Sequence, residues 1–248
     1  MAAPEIMEPI VETAISDEFR SLPRDPAQLS GIREGLDRDG IVELRGFLSE
    51  EGHKLLKEQI FERVERAEAG HGKFAIKGGD VEDTVVGDLA HSTYMRDLSN
   101  GILGASGGHP ALADEPIRSE EIVPGINLMR TRSDVTPFHF DGTFLNMVLA
   151  VTIPKISGDR RGQLVIYPNL RTFRAGLWAS YVAPLFTRSA LLRTLIGGKR
   201  KEIDYEERGA YLFYGYRSLH GVEAQGEDGF RAITNMTVGH GRFPGRRP

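Results

Sequence analysis

The sequence predicts a mainly β domain with flanking helices. Two observations carry this. Six runs, 40–48, 123–131, 144–153, 162–168, 210–216 and 231–238, are short, apolar and strand-like. Between and before them, 28–38, 49–69 and 170–197 carry apolar residues at helical spacing. A chain of 248 residues with 40% hydrophobic content has enough core for one domain.

The elements follow in chain order. Residues 1–26 hold four prolines and many acids, and read as a loosely ordered arm with a short helix near 17–20. Residues 28–38 read as a helix and 40–48 as a strand ending in a turn. Ser49 is a candidate N-cap for the next helix, which places Leu55, Leu56, Ile60, Phe61 and Val64 on one face. Residues 70–115 are dense in glycine and show no strand pattern. Long irregular stretches inside a compact domain are often functional, so this one is expected to form a lid. His71, Lys73, Lys77, His91, Tyr94 and Arg96 are its candidate substrate contacts, although each alone is more often a solvated loop residue. Residues 154–162 read as a charged turn. The helical insertion at 170–200 is split by Pro184, holds the single tryptophan Trp178, and ends at Gly197 with cations behind it. It could wall a pocket or form a homodimer contact.

The chemistry concentrates in two stretches. Side chains alternate along a strand, so His139 and Asp141 in 136–142 project to one side. His-x-Asp alone is short and is more often an accidental surface pair. The strand-like runs around it, and His220 behind another such run, raise its weight. Two imidazoles and one carboxylate on one face of a metal leave the opposite positions open, the arrangement of non-heme iron(II) oxygenases. Eleven residues after His220, Arg231 opens an apolar strand. A guanidinium there is costly unless an anion pairs with it.

His139-x-Asp141, then His220, then Arg231, resembles the iron(II)- and 2-oxoglutarate-dependent oxygenases. The resemblance covers about 123–240 firmly, and its specificity lies in the three-part spacing. It implies a double-stranded β-helix, a jelly-roll or cupin-like barrel, spanning 1–248 as one oxygenase domain. It implies metal ligation by His139, Asp141 and His220, and Arg231 on the distal carboxylate of 2-oxoglutarate. The cofactors implied are iron(II), 2-oxoglutarate as co-substrate and molecular oxygen, with succinate and carbon dioxide released. One polar side chain of 123–131, either Asn127 or Arg130, could help hold cofactor or substrate; Asn146 has a similar claim, and a satisfied core amide is an equal alternative. If Arg231 points inward, so do Ile233, Asn235 and Thr237, and Asn235 and Thr237 would suit a polar substrate or satisfy each other.

Departures from family patterns narrow the branch. Ile233 stands where many small-molecule members have Ser, Thr237 where the nucleic-acid repair branch has a second Arg, and Arg231 where prolyl hydroxylases use Lys. The layout is similar to small oxygenases acting on free amino acids, relatives of the free-lysine halogenases. Halogenases carry Gly or Ala where this chain has Asp141, so hydroxylation is the expected outcome. Alternatives are an oxygenase acting on a protein or peptide, a non-catalytic metal-binding sensor barrel, and a zinc hydrolase, in which Arg231 would have no task.

Composition excludes other classes. A net charge of −4 argues against a nucleic-acid partner held by bulk electrostatics. The absence of cysteine removes disulfides, thiolate metal sites and thiol nucleophiles. The first residues lack a basic start and an apolar stretch, and no apolar run approaches the roughly 18 residues of a membrane span. The expectation is a cytoplasmic protein with a small-molecule substrate and no nucleic-acid or membrane partner.

Overall fold

The structure is a computed structural model. It describes residues 9–66, 74–77, 81–104, 115–129, 134–154, 162–172, 197–223 and 229–239. Among these, two antiparallel sheets face each other, and helices cover the outside of the larger one. The strands are β1 (Ile41–Leu44), β2 (Phe74–Lys77), β3 (Ile122–Met129), β4 (Thr136–His139), β5 (Leu145–Thr152), β6 (Leu164–Tyr167), β7 (Lys201–Ile203), β8 (Ala210–Phe213), β9 (Leu219–Val222) and β10 (Arg231–Val238). The larger sheet runs β1-β8-β5-β10-β3-β2 and the smaller β4-β9-β6-β7. This interleaving of sequence-distant strands in two facing sheets is the jelly-roll arrangement.

Alternation explains how the larger sheet serves two environments. Ala232, Met236 and Val238 of β10 join Met147, Leu149 and Val151 of β5 and Ala210 and Leu212 of β8 in the core beneath the helices. The intervening Ile233, Val148, Ala150, Tyr211 and Phe213 turn to the other face. There they meet Leu164 and Ile166 of the smaller sheet in a second apolar cluster. β10 pairs with both β3 and β5 along its length, so everything on its inner face lies inside the barrel.

The helical layer comprises α1 (Pro9–Ala14), α2 (Asp17–Arg20), α3 (Pro26–Asp39), α4 (Glu50–Arg66), α5 (Val85–His91) and α6 (Thr93–Leu103). Capping fixes their ends. Asp25 accepts from the amides of Ala27 and Gln28 at 2.9 and 3.1 Å, and Pro26 occupies the first turn of α3. Gly40 ends α3 at φ 76°, and a Cβ there would sit 2.0 Å from Pro168 Cβ, so only glycine fits. Ser49 Oγ accepts from Gly52 N at 2.8 Å and caps α4 as expected.

Four expectations need correction, one of them the strandless reading of 70–115: β2 lies within it and pairs with β3. Residues 9–26 are not a loose arm: α1, α2 and a 3-10 turn at Leu22–Arg24 bury Val11, Ala14, Ile15, Phe19 and Leu22 in the main core. Residues 85–103 are not an irregular lid segment: α5 and α6 bury Val85, Val86, Leu89, Met95, Leu98 and Ile102. Tyr94 Oη donates to Phe19 O at 2.8 Å, His91 Nδ1 lies 3.3 Å from Ser119 O, and Arg96 bonds its neighbour Asp97 at 2.9 Å. These three side chains therefore serve the helical layer. His71, Lys73 and Trp178, with 173–196 as a whole, lie outside the described residues, as does the side chain of Lys77. Lys201, expected behind a helix end, instead opens β7. Among the described residues no helix is long and apolar enough to cross a membrane.

Candidate metal centre

Antiparallel pairing of β4 with β9 sets His139 directly opposite His220. The strands approach closely because residue 221 is glycine; a Cβ there would lie 2.8 Å from Thr136 O and 3.1 Å from Phe138 Cα. β4 ends at His139, and the chain continues to Asp141, whose amide donates to Gly215 O at 3.1 Å. Gly215 also makes room for the carboxylate: a Cβ would fall 2.7 Å from Asp141 Oδ2.

The three side chains converge. His139 Nε2 lies 3.3 Å from Asp141 Oδ1, and His220 Nε2 lies 3.1 Å from Asp141 Oδ2. Their ligand atoms all fall within 4.8 Å of one another, a span one metal ion can bridge. His220 is 8% exposed, Asp141 20% and His139 43%, so the group opens to solvent on the His139 side.

Their hydrogen bonds prepare them as ligands. His139 Nδ1 lies 2.8 Å from Pro137 O, and His220 Nδ1 lies 3.1 Å from Ser218 O. A carbonyl only accepts, so both Nδ1 atoms carry a proton; each Nε2 meets an oxygen of Asp141, and on a metal ion each would turn its lone pair to the ion. Asn146 Nδ2 donates to Asp141 Oδ2, and Thr143 Oγ1 donates to Asn146 Oδ1 at 3.0 Å. Burial alone would raise Asp141; His220 and His139 outweigh it and hold the carboxyl well below the usual range. It is therefore an anion and an available ligand. Phe213 packs edge-on to His220 at 4.8 Å and links the metal site to the apolar interior.

Arg231 lies inside the barrel, 1% exposed. Nη1 donates to Gly162 O, while Nε and Nη2 are buried without a partner. Burial depresses its pKa, with Tyr205 acting the other way. Its ring neighbour is Tyr205, 5.5 Å away, whose phenol burial raises to about 12. A nearly buried phenol and a guanidinium with two idle donors make a receptor for an anion. Phe213, Ile166, Leu164, Val148 and Ile233 belong to the same apolar cluster as Tyr205. The interior thus offers a metal-binding end, apolar walls and a cationic end.

No protein-family model matches the chain, and no curated protein matches it. Solved structures do. HygX from Streptomyces hygroscopicus, solved with nickel and 2-oxoglutarate bound, superposes with TM-score 0.59 at 13% identity, covering 88% of this chain and 89% of that one. The non-heme α-ketoglutarate-dependent epimerase SnoN from nogalamycin biosynthesis gives 0.57 at 17%, over 86% and 83%. A prolyl hydroxylase from Trichoplax adhaerens, in complex with a hypoxia inducible factor peptide, gives 0.57 at 14%, over 90% and 94%. The fold is that of the 2-oxoglutarate/iron(II) oxygenases. Within this oxygenase fold the double-stranded β-helix expected from the sequence is present, with His139, Asp141 and His220 gathered at one place.

The remaining sequence candidates sit as follows. Asn146 supports Asp141 directly. Asn127 Nδ2 donates to Asn235 Oδ1 at 2.7 Å, across β3 and β10. Thr237 Oγ1 donates to Val123 O at 3.3 Å. Arg130 lies outside the described residues. Two contributors escaped the sequence reading. Tyr205 follows a charged stretch with no period to mark it. Arg171 sits in a turn, over the rings of Phe140 and Tyr216 at 3.7 and 4.3 Å.

Proposed function

We propose that this protein is an iron(II)- and 2-oxoglutarate-dependent dioxygenase that hydroxylates a small polar molecule, a free amino acid or a derivative of one. The observation that carries the enzyme class is Arg231. A guanidinium this buried, with Nε and Nη2 idle, is expensive unless a ligand completes it. A keto-diacid is such a ligand: one end chelates a metal, the other is a carboxylate, and methylenes between them suit the apolar walls.

The side chains present fit the group. Nε2 of His139, Nε2 of His220 and a carboxylate oxygen of Asp141 would hold iron(II), and three ligands on one face leave the rest to co-substrate and oxygen. With 2-oxoglutarate and oxygen, the iron would supply oxidation of an unactivated C–H bond, releasing succinate and carbon dioxide. The protein does the positioning. The backbone carbonyls at 137 and 218 fix the imidazole tautomers. Thr143 and Asn146 orient the Asp141 carboxylate. Arg231 and the Tyr205 phenol would take the far carboxylate, and the apolar cluster keeps water from the chain between.

The amino-acid reading rests on polar groups of the inner face. Once paired with each other, Asn127 keeps its Oδ1 and Asn235 its Nδ2, one acceptor and one donor. These two atoms and Thr237 suit the amine and other polar groups of a small amino acid. A second reading, a peptide substrate, draws on the Trichoplax prolyl hydroxylase with its bound peptide. The experiment is succinate release by the iron-loaded protein against free amino acids and against short peptides, followed by product mass. The proposal expects turnover with a free amino acid and a product heavier by one oxygen. Turnover with peptides alone overturns the substrate class, and tight iron binding without succinate from any substrate favours a sensor barrel.

A further inference from the structure

Arg171 has no part in the chemistry described so far, yet it is built as a receptor. Its guanidinium lies between two rings, 3.7 Å from the centroid of Phe140 and 4.3 Å from that of Tyr216. Nε donates to Tyr216 O at 2.9 Å, and its own amide donates to Arg217 O at 3.0 Å. Among the described residues no acceptor meets its two terminal amino groups. Both rings belong to segments that build the metal centre. Phe140 lies between the ligands His139 and Asp141, beyond the end of β4, and Tyr216 follows the glycine that packs on Asp141. Burial presses the guanidinium down to about 10, with Tyr216 and Asp141 acting the other way, so it is a cation at neutral pH.

We propose that Arg171 is a specificity-determining residue at the rim of the metal centre, which binds a carboxylate of the primary substrate. The inference rests on the oxygenase reading above and names the group recognised. Three features argue for a ligand. Ring stacking and the Nε bond hold the guanidinium in place before any ligand arrives, so little side-chain entropy is lost on binding. The two free amino groups point as a fork, the geometry that takes both oxygens of a carboxylate. One cation matches one carboxylate. Arg217, on the same turn, is already bonded to Asp37 at 2.6 Å, so a phosphate dianion would lack a second partner there. Arg231 would hold the co-substrate in the interior, while Arg171 would hold the substrate beside Phe140, the residue between two of the ligands.

The test compares each free L-amino acid with its α-amide in succinate release by the iron-loaded protein, for wild type, Arg171→Gln and Arg171→Lys. The acid that drives turnover is expected to exceed its amide by about 100-fold in kcat/KM, the usual scale for losing one partner of a desolvated charge pair. Arg171→Gln should lose about the same factor with the acid, mostly in KM, and little with the amide. Arg171→Lys keeps the charge but not the fork, and should fall between them. Equal turnover of acid and amide by wild type overturns the proposal without any variant. So does an equal loss with both in Arg171→Gln, which marks a merely structural residue, and so does a panel in which no acid drives turnover. Calorimetric titration of 2-oxoglutarate into the metal-loaded wild type separates the two levels. Binding there, beside any of those failures, removes only the role of Arg171; no binding removes the oxygenase reading and this inference with it.

Discussion

Replacing Arg231 with Met should make the empty protein more stable and the enzyme inactive. In the empty barrel Nε and Nη2 are buried without partners. Removing two orphaned donors recovers about 1–3 kcal/mol each. Losing the bond from Nη1 leaves Gly162 O unpaired and costs a similar amount once. The net gain is about 1–3 kcal/mol, which for a chain of this length raises Tm by roughly 2–4 °C per kcal/mol. Most core substitutions destabilise, so the sign alone is informative. The ligand-bound state reverses the order. At 2-oxoglutarate a hundredfold above Kd, metal-loaded wild type should gain about 2.7 kcal/mol, and the variant little or nothing. Thermal unfolding of both proteins, with and without metal and 2-oxoglutarate, reads all of this in one experiment. A variant less stable than wild type when empty, or one that 2-oxoglutarate still stabilises fully, refutes the claim that Arg231 waits for an anion.

Three further outcomes follow from the same geometry. Gly215→Ala places a methyl 2.7 Å from Asp141 Oδ2, so the carboxylate must move, and calorimetry should show weaker metal binding in a folded protein; unchanged affinity would mean the close fit is not needed. Asn146→Ala removes the amide that orients Asp141 and should cost about 10–100-fold in metal affinity, the usual scale for such supporting groups; a loss below threefold speaks against that role. Burial raises the phenols of Tyr94, Tyr205 and Tyr214, with Tyr205 at about 12. The unfolded chain releases these protons first, near pH 10, so folded stability should hold below that pH and fall as pH rises toward 12. Denaturant unfolding that stays flat from pH 9 to 11 contradicts it.

The sequence disclosed most of the strands and the candidate ligands because alternation is a local signal; β2 and β7, four and three residues long, are too short to show one. β10 was legible because Arg231 stands alone in an apolar strand, and the structure buries it on the inner face. The helical layer was less legible because its evidence is tertiary. α1 and α2 are only six and four residues long, too short for a period, and packing against the core stabilises them. The glycines of 70–115 misled in a specific way. At Gly87 a Cβ would lie 2.5 Å from Glu82 O, and at Gly101 it would lie 2.7 Å from Leu29 Cδ1. Gly87 lets α5 fold back on the turn before it and Gly101 lets α6 pack on α3, and in sequence both look the same as a flexible loop. Arg171 and Tyr205 lie in turns and stretches without period, and only the fold brings them to Phe140 and Arg231.

The most direct measurement is a crystal structure with iron(II) and 2-oxoglutarate, grown without oxygen. The metal should lie about 2.0–2.2 Å from Nε2 of His139, Nε2 of His220 and an oxygen of Asp141, with the far carboxylate about 2.7–2.9 Å from the Arg231 guanidinium. A metal bound away from these three ligands, or a 2-oxoglutarate that leaves Arg231 untouched, would contradict the account.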